Sequence, residues 1–283
     1  MTRKTSRDLS EVRMKLDRAK EHIEIFGREL ETFLEHDPPP FGFRPEKNRG
    51  VDKTVEYVLY AIVRKPPPPE FALVIGDAIQ NMRIALEYFA YELSSPKARK
   101  SGTTAFPIYA RKPKRFNPSG ISTVRGYERA FIKRLQPYSA SKIPSDDPLA
   151  ILRKLSNLDK HQLLIPMIAA IKDEDVWVGT TNADLRFSYI SRGAVEHDAK
   201  IVAFTATPQD PSLGMEVHPN SGLRIQLQNT GIVSFEISAL DLLQMIEHHI
   251  RWNIEWGFER GVLPPTWQEV EASQQSDPPP AQS

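Results

Sequence analysis

Cysteine is absent from all 283 positions. Its absence excludes disulfide frameworks, thiolate metal sites and cysteine nucleophiles, and it suits a reducing compartment. Long apolar runs are missing as well, since no stretch approaches the roughly 20 residues needed to span a bilayer. Charge of one sign is also lacking. With a formal net charge of +1, no global field draws the chain to nucleic acid or to an anionic membrane, so any such preference must be local. Residues 1–17 alternate charged and apolar side chains and hold no continuous apolar stretch of the secretory kind. The expectation is a cytoplasmic protein with no membrane partner. No P-loop, GxGxxG or GxSxG pattern occurs, and no cofactor is expected.

What is present is an ordinary globular balance, 40% hydrophobic and 26% charged, on a chain long enough for a substantial core. Residues 1–50 read as a long helix and a linker. Leu9, Val12, Leu16, Ala19, Ile23, Phe26, Leu30 and Phe33 recur at steps of three and four, the seam of a bundle or coiled coil. The seam spans Arg7 to His36 before Pro38-Pro39-Pro40 ends it, and Gly27 weakens it locally. Residues 51–164 read as a strand followed by a helical core. Val55, Tyr57, Val58, Leu59, Tyr60, Ile62 and Val63 are β-branched, aromatic or aliphatic and predict a strand within Val51–Arg64. A stripe of Phe71, Ile75, Ala78, Met82, Leu86, Phe89 and Leu93 predicts a helix over Glu70–Leu93. Short helical signals follow at Gly126–Leu135 and after Asp147-Pro148, where a carboxylate can cap and proline suits the first turn. That last helix is expected to reach Leu164.

Period-two patterning takes over in residues 165–237, an antiparallel β region with strands expected at Ile165–Ile171, Val176–Thr180, Leu185–Ile190, Ile201–Thr205, Leu223–Gln228 and Ile232–Ile237. Asn229-Thr230-Gly231 is the expected hairpin between the last two. Residues 238–262 read as a C-terminal helix that opens at Ser238 and packs on the bundle, most directly against the first helix. Residues 273–283, rich in Gln, Ser and Pro, read as a disordered tail. The fold class is therefore α+β: a helical bundle with an antiparallel sheet region inserted before the last helix.

Two helical segments set polar residues into stretches otherwise suited to a core, and buried polar groups cost free energy unless partnered. On the second helix, 100° steps put Asp77, Asn81 and Tyr88 on one polar line, with Arg83 pointing elsewhere and Glu87 four residues after it. On the helix after Pro148, Arg153, Asn157, Lys160 and His161 lie opposite the apolar Ile151, Leu152, Leu155 and Leu158. Asp159 falls between Leu155 and Leu152 in direction. A carboxylate there needs a partner, such as Asn81, Arg83 or a tyrosine, or its pKa must rise. Satisfied structural polarity explains Asp77, Asn81 and Asp159, which leaves Arg83 and His161 as the candidate chemical actors.

The residues Ile75 to Tyr88, Ala105-Phe106-Pro107-Ile108, Leu135-Gln136-Pro137-Tyr138 and Leu158-Asp159-Lys160-His161 resemble a family of uncharacterised bacterial proteins common in actinobacteria. The likeness covers about Val55 to Ile165. Members read N-L-R-S-A-L-D-H where this chain has Asn81-Met82-Arg83-Ile84-Ala85-Leu86-Glu87-Tyr88. That arginine-to-histidine spacing is similar to the motif of HEPN domains, helical bundles that include metal-independent ribonucleases of stress and phage-defence systems. The resemblance implies RNA binding or cleavage, with Arg83 stabilising a developing phosphorane charge. Here Tyr88 occupies the histidine position, and tyrosine with a reference pKa near 10 is a poor base at neutrality. His161 would have to supply that role from the neighbouring helix, or the site is inactive.

Lys97, Arg99, Lys100, Arg111, Lys112, Lys114, Arg115 and Arg125 occur between Ser95 and Tyr127 without an Asp or Glu, interleaved with Phe106, Tyr109 and Phe116. Such a loop, residues 97–125, is suited to RNA phosphates. Glu247-His248-His249 lacks metal-ligand spacing and reads as solvated helix polarity, so no metal site is assigned. Two other function classes fit the same residues. One is a non-catalytic interaction or structural protein with a degenerate site. The other is a helical-bundle hydrolase holding a metal on His22, His161 and His248 or His249. A homodimer could complete a site across its interface.

Overall fold

Each buried stripe read from the sequence becomes the inner face of a helix. In the computed structural model, which describes residues 7–50, 53–162, 164, 166–170, 176–191, 193–210, 212–213, 216–221, 224–227 and 237–276, α1 spans Ser10–Leu34 and buries Val12, Leu16, Ala19, Ile23, Phe26 and Phe33. It packs along α2 (Glu70–Leu93), whose ends fall where the periodicity and flanking prolines place them. Short helices α3 (Pro96–Lys100), α4 (Gly126–Arg134) and α5 (Pro137–Ala140) lead to α6 (Pro148–Asp159). The C-terminal α7 (Ala239–Arg251) passes without a break into π-type turns at Trp252–Phe258, and α8 (Trp267–Ser276) follows.

The helices share one apolar core. Phe89, Phe131 and Phe258 form a cluster of edge-on rings with centroids 4.9–6.2 Å apart. Gly257 lies against it, the Phe131 ring at 3.4 Å from where a β-carbon would stand. As expected, the first and last long helices meet: Leu240 lies over Gly27, and Arg251 pairs with Asp17 at 3.0 Å.

The strands are β1 (Phe41–Arg49), β2 (Val55–Val63), β3 (Pro166–Ala170), β4 (Val176–Thr181), β5 (Ala183–Ile190), β6 (Gly193–Ala194), β7 (Lys200–Pro208), β8 (Glu216–Ser221) and β9 (Arg224–Leu227). They form an antiparallel four-stranded sheet in the order β1-β2-β7-β5 and two smaller sheets, β6-β3-β9 and β4-β8. Tyr57 on β2 stacks flat on Phe204 of β7, its register partner, at 5.1 Å. Around them Leu59, Ala61, Ile201, Val202 and Ala206 make a second, smaller core. The α+β class stands.

Several boundaries differ from expectation. The linker assigned within residues 1–50 holds β1, which Pro45 and a run of polar residues conceal. Proline lacks a donor but is tolerated at a sheet edge, and β1 pairs only with β2. The second strand begins at Val55, and α6 stops at Asp159 because Leu158 O takes the His161 and Gln162 amides in a closing turn. β8 was not expected; Pro219 and Asn220 hide it. α8 carries helix to Ser276, inside the segment read as disordered, and 277–283 lie outside the described residues. The expected strand Ile232–Ile237, save Ile237, and the hairpin at 229–231 lie there too.

Two measurements follow from this packing. A β-carbon at Gly27 would meet only Leu240, at an ordinary 3.7 Å. Gly27→Ala recovers about 1 kcal/mol of helix propensity and raises the melting temperature; a lower value would show that the seam has no room there.

Asp147 caps α6, accepting the Leu149 amide at 2.9 Å while 3% exposed, and burial pushes its carboxyl up to about 6. Between the unfolded value of 3.8 and about 6, the folded chain holds a proton that the unfolded chain releases. Stability from this group therefore falls as pH rises through that window. Asp147→Asn keeps an acceptor for the cap and cannot ionise. Its stability relative to the wild type should improve between pH 4 and pH 7 in denaturant titrations, and a pH-independent difference would contradict the buried-carboxyl account.

Candidate functional site

Gly76 sets the geometry between α2 and α6. With no side chain there, the Asp159 carboxylate closes against the α2 backbone: an added β-carbon would lie 2.5 Å from its Oδ1. One turn on, Gln80 donates Nε2 to Asp159 Oδ2 at 2.7 Å and to the Ser156 carbonyl at 3.3 Å. The core-directed carboxylate thus has its inter-helix partner. That partner is Gln80, not Asn81, Arg83 or a tyrosine.

A further turn along α2, Arg83 and Glu87 grip the following loop. Arg83 Nη2 donates to Glu87 Oε1 and, at 3.0 Å, to the Phe106 carbonyl; Glu87 Oε2 accepts the Phe106 amide at 2.7 Å. The fully buried Gln136 continues the hold. Its Oε1 accepts the Tyr109 amide at 2.9 Å, and its Nε2 donates to Pro107 O at 3.0 Å and Ile132 O at 2.9 Å. Arg153 on α6 then donates Nη1 to the Ile108 carbonyl at 2.9 Å. Three short motifs far apart in sequence, around Arg83, Phe106 and Gln136, are one hydrogen-bonded unit.

This unit walls a cleft of about 300 Å³. α2 contributes Gln80, Arg83, Ile84 and Glu87, the loop contributes Ile108, and α6 contributes Arg153, Ser156, Asn157 and Lys160. Arg83 is the inner cation, its side chain 19% exposed, while Arg153, Asn157 and Lys160 are exposed at the rim. Burial pulls the Arg83 guanidinium below its usual value. Glu87 opposes that shift and Arg153 adds to it. Arg83 Nη1 is buried and has no hydrogen-bond partner among the described residues. Against three cations the lining holds one carboxylate, Glu87, already bonded at both oxygens.

The basic loop leaves this cleft directly after Ile108. Tyr109 and Phe116 meet edge-on at 6.2 Å and close its base. Arg111, Lys112, Lys114 and Arg115 stand exposed between them and form no ion pair among the described residues. Lys97 and Lys100 are likewise exposed. Arg99 and Arg125 are consumed by structure: Arg99 binds the Ser94 carbonyl and the Glu92 carboxylate, and Arg125 binds the Val124 carbonyl. Phe106 is core, so of the three interleaved aromatics only Tyr109 and Phe116 sit at the loop.

The expected pair of Arg83 and His161 is not brought together in the cleft. His161 is exposed in the turn beyond α6 and is not part of the lining. Arg83 is not an outward surface residue either, because its contact with Glu87 is partly buried and fixes backbone. Asp77, Asn81 and Tyr88 do not line the cleft. Asp77 is exposed and receives Asn81 Nδ2 on its carbonyl at 2.8 Å, Asn81 Oδ1 accepts Lys15 Nζ of α1 at 3.4 Å, and Tyr88 packs on the helical core. Asn157 and Lys160 do line the cleft, while Asp159 lies just behind it on Gln80.

Gln80 and Gln136, which bind a carboxylate and loop backbone, and Arg153, which lines the cleft, were not among the expected site residues. Arg153 carried a signal, since it lies one turn before Asn157 on the polar flank of α6. Glu247 and His249 are not solvated: Glu247 is buried on Arg251, and burial pushes the His249 ring down to about 4, beside Asn253. Among the described residues, no three of His, Asp and Glu gather as a metal site requires, and no helix is long and apolar enough to cross a membrane. No family model, curated protein or solved structure matches the chain.

Gly76→Ala tests the closeness of α2 and α6. Helix propensity favours alanine by about 1 kcal/mol, yet the added methyl must displace the Asp159 carboxylate from Gln80. The variant should melt below the wild type, opposite in sign to Gly27→Ala, and an equal gain at both glycines would refute the clamp.

Proposed function

We propose that this chain is a HEPN-like RNA-binding protein in which the α2–α6 cleft seats a phosphate and the adjoining basic loop follows the RNA backbone. One observation carries the reading. Arg83, Arg153 and Lys160 line a single cleft whose only carboxylate is already bonded, and Arg83 keeps a buried N–H group without a partner. Guanidinium groups are suited to phosphate because their planar N–H forks match its oxygens. Arg111, Lys112, Lys114 and Arg115, exposed a few residues beyond Ile108, extend the same charge outward.

Binding is favoured over cleavage. No histidine is among the residues lining the cleft, Tyr88 is held in the helical core, and both oxygens of Glu87 are engaged by Arg83 and the Phe106 amide. A general base needs a proton acceptor within hydrogen-bonding reach of the ribose hydroxyl. The cleft lining offers only an engaged carboxylate.

Filter binding of single-stranded RNA across a salt series measures this directly. Affinity should fall steeply with salt. Each phosphate neutralised on a single strand adds roughly 0.7 to the log–log slope, so Lys112→Ala with Lys114→Ala should reduce that slope by about 1.4. A flat salt dependence would remove the phosphate-tracking reading. RNA incubated with the wild type should stay intact. Cleavage that Arg83→Ala and His161→Ala abolish would replace the binding assignment with a ribonuclease.

A further inference from the structure

Building on the phosphate-binding reading above, we infer that the cleft takes a phosphomonoester dianion and discriminates against an internal phosphodiester. The ligand is the terminal phosphate of an RNA or the phosphate of a free nucleotide. Charge is the first argument. Arg83, Arg153 and Lys160 against Glu87 leave two formal positive charges in a partly desolvated recess. A phosphomonoester carries close to two negative charges at neutral pH and cancels both. A diester carries one and leaves one of the three cations uncompensated in the cleft.

The donors make the second argument. Arg83 and Arg153 both line the cleft, Arg153 Nη1 being bonded to the Ile108 carbonyl, and Lys160 adds an ammonium at the rim. Three cationic donors match the three terminal oxygens of a monoester, whereas a diester offers two non-bridging oxygens. Shape is the third. α2, α6 and the loop at Ile108 wall the cleft on three sides, and about 300 Å³ is at the small end of ligand pockets. That space suits a chain end better than a strand that must enter and leave.

The experiment is fluorescence anisotropy with one oligoribonucleotide sequence carrying a 5′-phosphate, a 3′-phosphate or hydroxyl ends, with adenosine 5′-monophosphate and adenosine as competitors. One phosphate-ended form should bind about tenfold or more tightly than the hydroxyl-ended form, the scale of one charge-assisted hydrogen bond. Lys160→Gln should erase that preference at unchanged melting temperature, and Arg153→Gln should erase it as well. Lys112→Ala, in the loop, should weaken all three RNAs alike. Arg153-dependent binding of the monophosphate, with no RNA distinguished by its ends, supports the dianion site, identifies the source as a free nucleotide and removes RNA as the ligand. Equal affinity for all three RNAs, with the monophosphate competing no better than adenosine, overturns the inference and leaves RNA binding standing. No binding by any of the probes overturns both.

Discussion

The carboxylate of Glu87 does two jobs that cannot be separated. One oxygen holds Arg83 across a turn of α2, and the other holds the Phe106 amide, so helix and loop are fixed by the same group. Removing it would leave a largely buried guanidinium without its counter-charge and free the loop backbone together. An exposed Arg–Glu pair at this spacing contributes only a few tenths of a kcal/mol. This pair is different because its second partner is a backbone amide far along the chain, and because water is partly excluded. Everything about the cleft follows from the placement of Phe106: where Ile108 falls, what Arg153 can reach, and where the basic loop emerges.

Much of the helical frame was legible. The three-and-four spacing of α1 and α2 defines their buried faces because a helix repeats every 3.6 residues and apolar area must leave water. Asp147-Pro148 marked the start of α6 for a local reason, a carboxylate over free amides. The β region was less legible. β1 and β8 carry proline, asparagine and charges, and they are strands only because β2 and β4 supply partners. A polar strand leaves no periodic trace of the partner it pairs with, and propensity there is overridden by context.

The site divided along the same line. Arg83, Asn157 and Lys160 could be picked out as polar groups on helices, and Asp159 could be seen to need a partner. Which partner it takes depends on Gly76, where the missing side chain admits the carboxylate and aligns Gln80 to receive it. Helical direction alone misplaced Arg83, because a long side chain can fold back onto a loop whose path is not written in its own helix. His161 failed for the opposite reason: α6 ends before it, so the angular position assigned by continuing the helix has no meaning there.

The cation arrangement is unfavourable taken by itself, and that is its most informative property. Burial, with the charge of Arg153 adding to it, pulls the Arg83 guanidinium below its usual value, and Arg83 Nη1 is a buried donor unmatched among the described residues. A buried unsatisfied donor costs about 1–3 kcal/mol; an apolar residue at position 83 would avoid that cost, but it would leave the Glu87 carboxylate and the Phe106 carbonyl without Arg83. The loop contacts account for Arg83 Nη2 and for Arg153 Nη1, and they leave the second terminal nitrogen of Arg83 without a partner among the described residues. On the proposed reading, an anion held beside the two side chains offsets their repulsion. By linkage, a ligand that binds only the folded chain must stabilise it in proportion to its occupancy.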